Sequence, residues 1–86
     1  MAFFYAMTFT VYILYSDQFN KHYTGFTTNL EQRILSHNEL GKDWSKSFRP
    51  WRIIYTKEFA SKTEAMQHEK WLKTGAGRDF VKCLPV

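Results

Sequence analysis

The stretch from Val11 to Asn38 constrains the fold of this 86-residue chain more than any other. Two β-prone runs, Val11-Tyr12-Ile13-Leu14-Tyr15 and Tyr23-Thr24-Gly25-Phe26-Thr27, are separated only by Ser16-Asp17-Gln18-Phe19-Asn20-Lys21. That break carries turn formers at both ends and leaves no room for a helix, so the pattern predicts a β-hairpin. Along the first strand Val11, Ile13 and Tyr15 alternate with Tyr12, Leu14 and Ser16, which places Tyr12 and Leu14 on one face. Gly25 in the second strand, about His22 to Thr27, permits close approach of a backbone or a ligand. A pairing that sets Tyr23 beside Tyr12 is geometrically open, although the sequence does not fix the register. Thr28 and Glu31 then form a capping box and predict a helix over Asn29 to Leu40, stopped by Gly41. Leu30, Ile34 and His37 fall on its apolar stripe, with Arg33 at the edge. Two tyrosines followed by Arg33 and His37 one turn apart gather polar groups on otherwise apolar elements. Such a cluster suits a polar ligand.

The remaining chain completes a small α+β domain. Gly41 to Pro50 reads as a loop, and Trp51 to Phe59 as a third strand whose residues alternate between two faces. Ser61 with Glu64 is a second capping box that starts a helix to about Lys73. Ala65, Met66 and Leu72 bound the apolar arc of this helix, and Glu69 projects from near its middle. A carboxylate aimed into a core is costly unless it is paired or binds a metal. On the residues alone, a salt bridge to Arg33 or to a lysine from elsewhere competes with a metal ion for that role. Gly75 and Gly77 are expected to break the helix, with a short terminal turn over Arg78 to Leu84. The predicted architecture is a three-stranded antiparallel sheet flanked by helices, in the order β-β-α-β-α with a short C-terminal helix. Residues 1–9 are expected to be an N-terminal extension and 10–84 the domain.

Composition narrows the function classes. Hydrophobic residues make up 44% and aromatic residues 19% of the chain, enough for a core. A net charge of +4 and a pI near 9.3 suit a polyanionic partner. Cys83 stands alone, so no internal disulfide forms. His22, His37 and His68 lie apart and give no zinc spacing. The uncharged start, Met1 to Ser16, is too short to span a bilayer and has neither the basic region nor the cleavage site of a secretory signal. The expectation is a cytoplasmic protein with no membrane partner.

Tyr12 within Thr10-Val11-Tyr12, the triplet Tyr23-Thr24-Gly25, Arg33 ten residues after Tyr23 and His37 four residues later resemble a GIY-YIG nuclease domain. Glu69, in Met66-Gln67-His68-Glu69-Lys70, falls where that family keeps its metal-binding carboxylate. The resemblance covers roughly Thr10 to Lys82 and is nearest to the small single-domain branch related to the nuclease domain of the excinuclease. It implies a metal-dependent endonuclease that hydrolyses DNA phosphodiester bonds, structure-specific in repair or recombination, with one Mg²⁺ or Mn²⁺ held by Glu69 as sole protein ligand. Tyr12, Tyr23, Arg33, His37 and Glu69 would form the catalytic set. Tyr23 would accept the proton of the attacking water, and Tyr12 would hold water or phosphate. Arg33 would neutralise the phosphate, while His37 would orient the water or compete with Tyr23 as base. The chain departs from the family at Thr10, where relatives carry glycine, at Thr24, where they carry isoleucine, and at Val81, where several carry asparagine.

Trp44, Lys46, Arg49 and Arg52 read two ways. They are suited to grip a phosphate backbone and stack a base, or they are ordinary surface residues around a core Trp51. The partner is expected to be DNA, branched or single-stranded, with a homodimer or another protein supplying specificity. The rival reading is a non-catalytic nucleic-acid-binding module on the same fold.

Overall fold

The computed structural model describes residues 8–35, 38 and 48–85. The order of elements is β1 (Phe9–Ser16), β2 (Lys21–Thr27), α1 (Leu30–Leu35), β3 (Arg52–Phe59), α2 (Lys62–Leu72) and α3 (Gly75–Lys82). The strands form one antiparallel sheet in the order β2-β1-β3, so the chain is an α+β domain built as its sequence predicts.

The central strand explains the rest. Val11, Tyr12, Ile13 and Leu14 are all fully buried, because alternate residues enter two different cores. Val11 and Ile13 pack with Ala65, Leu72 and Val81 beneath α2 and α3. Tyr12 and Leu14 pack with Trp51, Leu30 and Ile34 on the side covered by α1. Phe9, assigned by sequence to the extension, already pairs with Phe59 and packs on the first core. Residues 1–7 lie outside the described part.

The hairpin closes through Asp17–Asn20, and Asn20 takes the left-handed conformation (φ 51°) that asparagine tolerates. The helix cap lies one residue later than the Thr28 box. Gln32 N–H donates to Asn29 Oδ1 at 3.1 Å, and the Asn29 amide reaches Gln32 Oε1 at 3.4 Å. Thr27 Oγ1 accepts from the Asn29 N–H at 3.0 Å and so sets the chain's approach to α1. Asparagine outranks threonine as an N-cap, which accounts for the shift. Beyond Leu35 the expected helix lies outside the described residues, except Asn38. Its amide clamps Trp51, donating to the Trp51 carbonyl at 3.0 Å and accepting from the Trp51 N–H at 2.6 Å.

Strict alternation fails in β3. The register with β1 shifts between Ile13 and Leu14, which pair with Tyr55 and Ile53 and leave Ile54 as an extra residue. Ile54 and Tyr55, neighbours in sequence, therefore both pack on the α2 side, while Ile53 is 42% exposed. Met66 is also exposed, so the buried stripe of α2 runs through Ala65 and Leu72 without it.

The capping box at Ser61 forms as predicted on its forward side, with Glu64 N–H donating to Ser61 Oγ at 3.2 Å. The glycines after α2 act differently from expectation. Thr74 is the N-cap of α3, and Gly75 and Gly77 lie in its first turn. A Cβ on Gly77 would strike the Trp71 carbonyl and sit 2.5 Å from Leu72 Cα. The absent side chain thus lets α3 close onto the end of α2. Nothing crowds Gly75 within 4 Å. Gly77→Ala should accordingly cost about 3 kcal/mol, whereas Gly75→Ala should lie within about 0.5 kcal/mol of wild type. Urea denaturation of the two variants checks the contrast.

Candidate active site

Gly25 lies directly opposite Tyr12 in the β1–β2 ladder, and Tyr23 lies opposite Leu14, two residues along on the same face. Tyr12 and Tyr23 are therefore diagonal neighbours, offset-stacked with ring centroids 6.3 Å apart and planes within 19°. Trp51 meets Tyr23 edge-on at 6.2 Å and fixes it from the other side. A Cβ on residue 25 would lie 2.8 Å from Tyr12 Oη and 3.2 Å from Tyr23 Cε1. What approaches the glycine closely is thus the first tyrosine's own ring.

Arg33, on α1, hydrogen-bonds the Tyr12 hydroxyl. A guanidinium only donates, so the phenol oxygen accepts and its proton is left to donate elsewhere. Glu69 acts on Tyr12 electrostatically from α2, as Tyr23 does from β2. Four elements thus bring together Tyr12, Tyr23, Arg33 and Glu69. Burial pushes the Tyr12 phenol above its ordinary value, and Tyr23 and Glu69 push the same way, against the hydrogen bond and charge of Arg33. Tyr12 is therefore a neutral phenol at physiological pH, a donor and not a base.

Glu69 lies on the buried stripe of α2, four residues after Ala65 and three before Leu72. Its side chain is 20% exposed, and Oε1 accepts from Lys73 Nζ at 2.9 Å. The sequence reading looks to Arg33 or a lysine from elsewhere, and misses the i,i+4 spacing that sets Lys73 on the same helix face as Glu69. A lone carboxylate beside phenol and guanidinium fits a hard divalent ion whose other ligands are water and phosphate oxygens. The chemistry of these residues is compatible with Mg²⁺ or Mn²⁺, in competition with Lys73.

The other expected site residues divide. His37, Trp44 and Lys46 lie outside the described residues. Arg49 is half-buried. Arg52 is engaged at the hairpin turn, where its guanidinium grips both oxygens of Asp17 at 2.7 and 3.0 Å and lies over the Tyr15 ring. No local spacing reveals that pair, since the β1–β3 register brings it together. Val81 packs in the core under α2, a place with no polar role.

Residues 8–78 match the GIY-YIG catalytic domain. The chain belongs to the GIY-YIG family. A UPF0213 protein of Staphylococcus haemolyticus is 41% identical over 66 residues, spanning 76% of this chain and 80% of that protein. The UPF0213 protein YazA of Bacillus subtilis is 38% identical over 55 residues, spanning 63% of this chain but only 56% of the relative. The solution NMR structure of a UPF0213 protein from Bacillus halodurans superposes with a TM-score of 0.53 at 32% identity, covering 87% of this chain and 82% of that one. This GIY-YIG domain is thus of the small kind that these relatives represent, and among its described residues no helix is long and apolar enough to cross a membrane.

Two outcomes test the geometry. Gly25→Ala must displace both tyrosine rings and should destabilise the fold by about 1–3 kcal/mol, measured by urea denaturation. The folded state holds the Tyr12 proton more tightly than the unfolded chain does, so stability from this source is complete below about pH 10 and falls as pH rises through the elevated value. Urea midpoints between pH 8 and pH 11 should fall less steeply in Tyr12→Phe than in wild type.

Proposed function

We propose that this GIY-YIG domain is a metal-dependent endonuclease that hydrolyses DNA phosphodiester bonds. The convergence of Tyr12, Tyr23, Arg33 and Glu69 carries the reading. Nuclease chemistry is the character of the family, and these four side chains supply donor, base, cation and metal-binding carboxylate. Glu69 would hold one Mg²⁺ or Mn²⁺, which when bound supplies Lewis-acid stabilisation of the phosphate and its leaving oxygen. Tyr12 keeps its proton and donates to a phosphate oxygen or to the attacking water. Tyr23 takes the proton of that water as general base. Arg33, already bonded to Tyr12, has donors in a planar fork that match phosphate oxygens as charge develops. His37 orients the water or holds phosphate. Trp44, Lys46 and Arg49 extend the contact with DNA. Arg52 would join them only by leaving Asp17.

One observation favours a non-catalytic nucleic-acid-binding module. Lys73 already pairs with Glu69 at the surface of α2, so the carboxylate needs no ion for structural reasons.

The deciding experiment incubates branched, duplex and single-stranded DNA with the protein in Mn²⁺ or in EDTA, beside Glu69→Gln. Products that need Mn²⁺ and vanish in Glu69→Gln are expected, together with a Mn²⁺-induced rise in melting temperature that the variant lacks. Binding without cleavage under every condition would favour the module.

Two further variants assign roles. Arg33→Ala should lower turnover ~10²–10³-fold with little change in DNA affinity. Tyr23→Phe should nearly abolish cleavage, while His37→Ala should retain activity that still climbs toward alkaline pH. Efficient cutting by Tyr23→Phe with a dead His37→Ala would make the histidine the base.

A further inference from the structure

Beside the catalytic cluster, a groove of about 550 Å³ runs along the outer edge of β2 and is walled on its far side by α2 and α3. Leu72 and Val81, both nearly buried, back it, and Lys73, Arg78 and Lys82 line it with no carboxylate among the lining residues. Arg78 and Lys82 are one turn apart on α3, so their side chains start about 5–6 Å from each other and can reach one phosphate. Both are exposed, and among the described residues neither makes an ion pair.

Two residues belong to both the groove and the site. Tyr23 lines the groove and stacks on Tyr12, and Lys73 lines it and holds Glu69. The groove therefore adjoins the cluster at the β2 edge, with the tyrosine rings on the α1 face of the sheet and Leu72 and Val81 on the α2–α3 face.

We propose that this groove is the track for a single nucleic-acid strand next to the scissile phosphate, with Arg78 and Lys82 gripping its backbone. This rests on the nuclease reading above and adds to it a strand path and two binding residues. A space of this volume takes a nucleotide and not a duplex. A cationic groove that tracks the backbone is what single strands use, with phosphates held by charge. An acidic peptide added to the β2 edge would share the charge preference, and competition with polyglutamate separates the two.

The test measures fluorescence anisotropy of labelled oligothymidylate in EDTA across a salt series. It compares wild type, the Arg78→Gln/Lys82→Gln double variant and Lys62→Gln, a surface control at the start of α2. Circular dichroism verifies that each is folded. The double variant should bind about tenfold more weakly, and its slope of log affinity against log salt should fall by about 0.7 for each lost contact, with Lys62→Gln unchanged. If the double variant keeps wild-type affinity and slope while wild type binds and cuts DNA, the track is wrong and the nuclease reading stands. If wild type neither binds nor cuts any DNA, both fall together. Displacement of the oligonucleotide by polyglutamate at equal charge, lost in the double variant, would assign the groove to acidic peptides and overturn the strand.

Discussion

The seating of Tyr12 on Gly25 is the contact on which the rest depends. A tyrosine on the central strand, covered on both sides, has space for its ring only because the opposite residue has no side chain. Once buried, its hydroxyl needs a partner, and leaving it without one would cost about 1–3 kcal/mol. Arg33 meets that need and thereby ties α1 to the sheet. The same bond orients the guanidinium within the site. Structure and chemistry therefore share one interaction, and the position of Tyr23 follows from the ladder register that Gly25 allows.

Local signals were the legible part of the fold. The hairpin, the third strand and the Ser61 cap each rest on residues a few positions apart, and all appear where their pattern puts them. The misreadings have non-local causes. The bulge at Ile54 depends on how β3 meets β1, and Gly77 is small because α3 presses on α2. Asp17 and Arg52 meet only because distant strands align. The shift of the first cap from Thr28 to Asn29 is the exception, a local competition between two adequate capping residues.

The candidate cluster was nameable from the sequence, but its electrostatics were not. Tyr12, Tyr23, Arg33 and Glu69 could be named from spacing and resemblance, and the fold brings these four together. That Tyr12 is a neutral donor follows only from its complete burial, which periodicity alone does not give. The pairing of Glu69 with Lys73, missed although helix spacing contains it, carries weight only when the carboxylate proves to be mostly covered.

The Asn38 amide, bonded to both backbone groups of Trp51, gives this domain a seam that can be opened without loosening the frame. One side chain imitates a strand's hydrogen bonds and holds together the two ends of the connection that enters β3. Each doubling of a connection whose ends are already held costs only about 0.6 kcal/mol. Evolution, or an engineer, can therefore lengthen or shorten what lies between positions 38 and 48, while Phe48 keeps its place against Trp51. Changes there leave Tyr12, Tyr23, Arg33 and Glu69 on elements of their own.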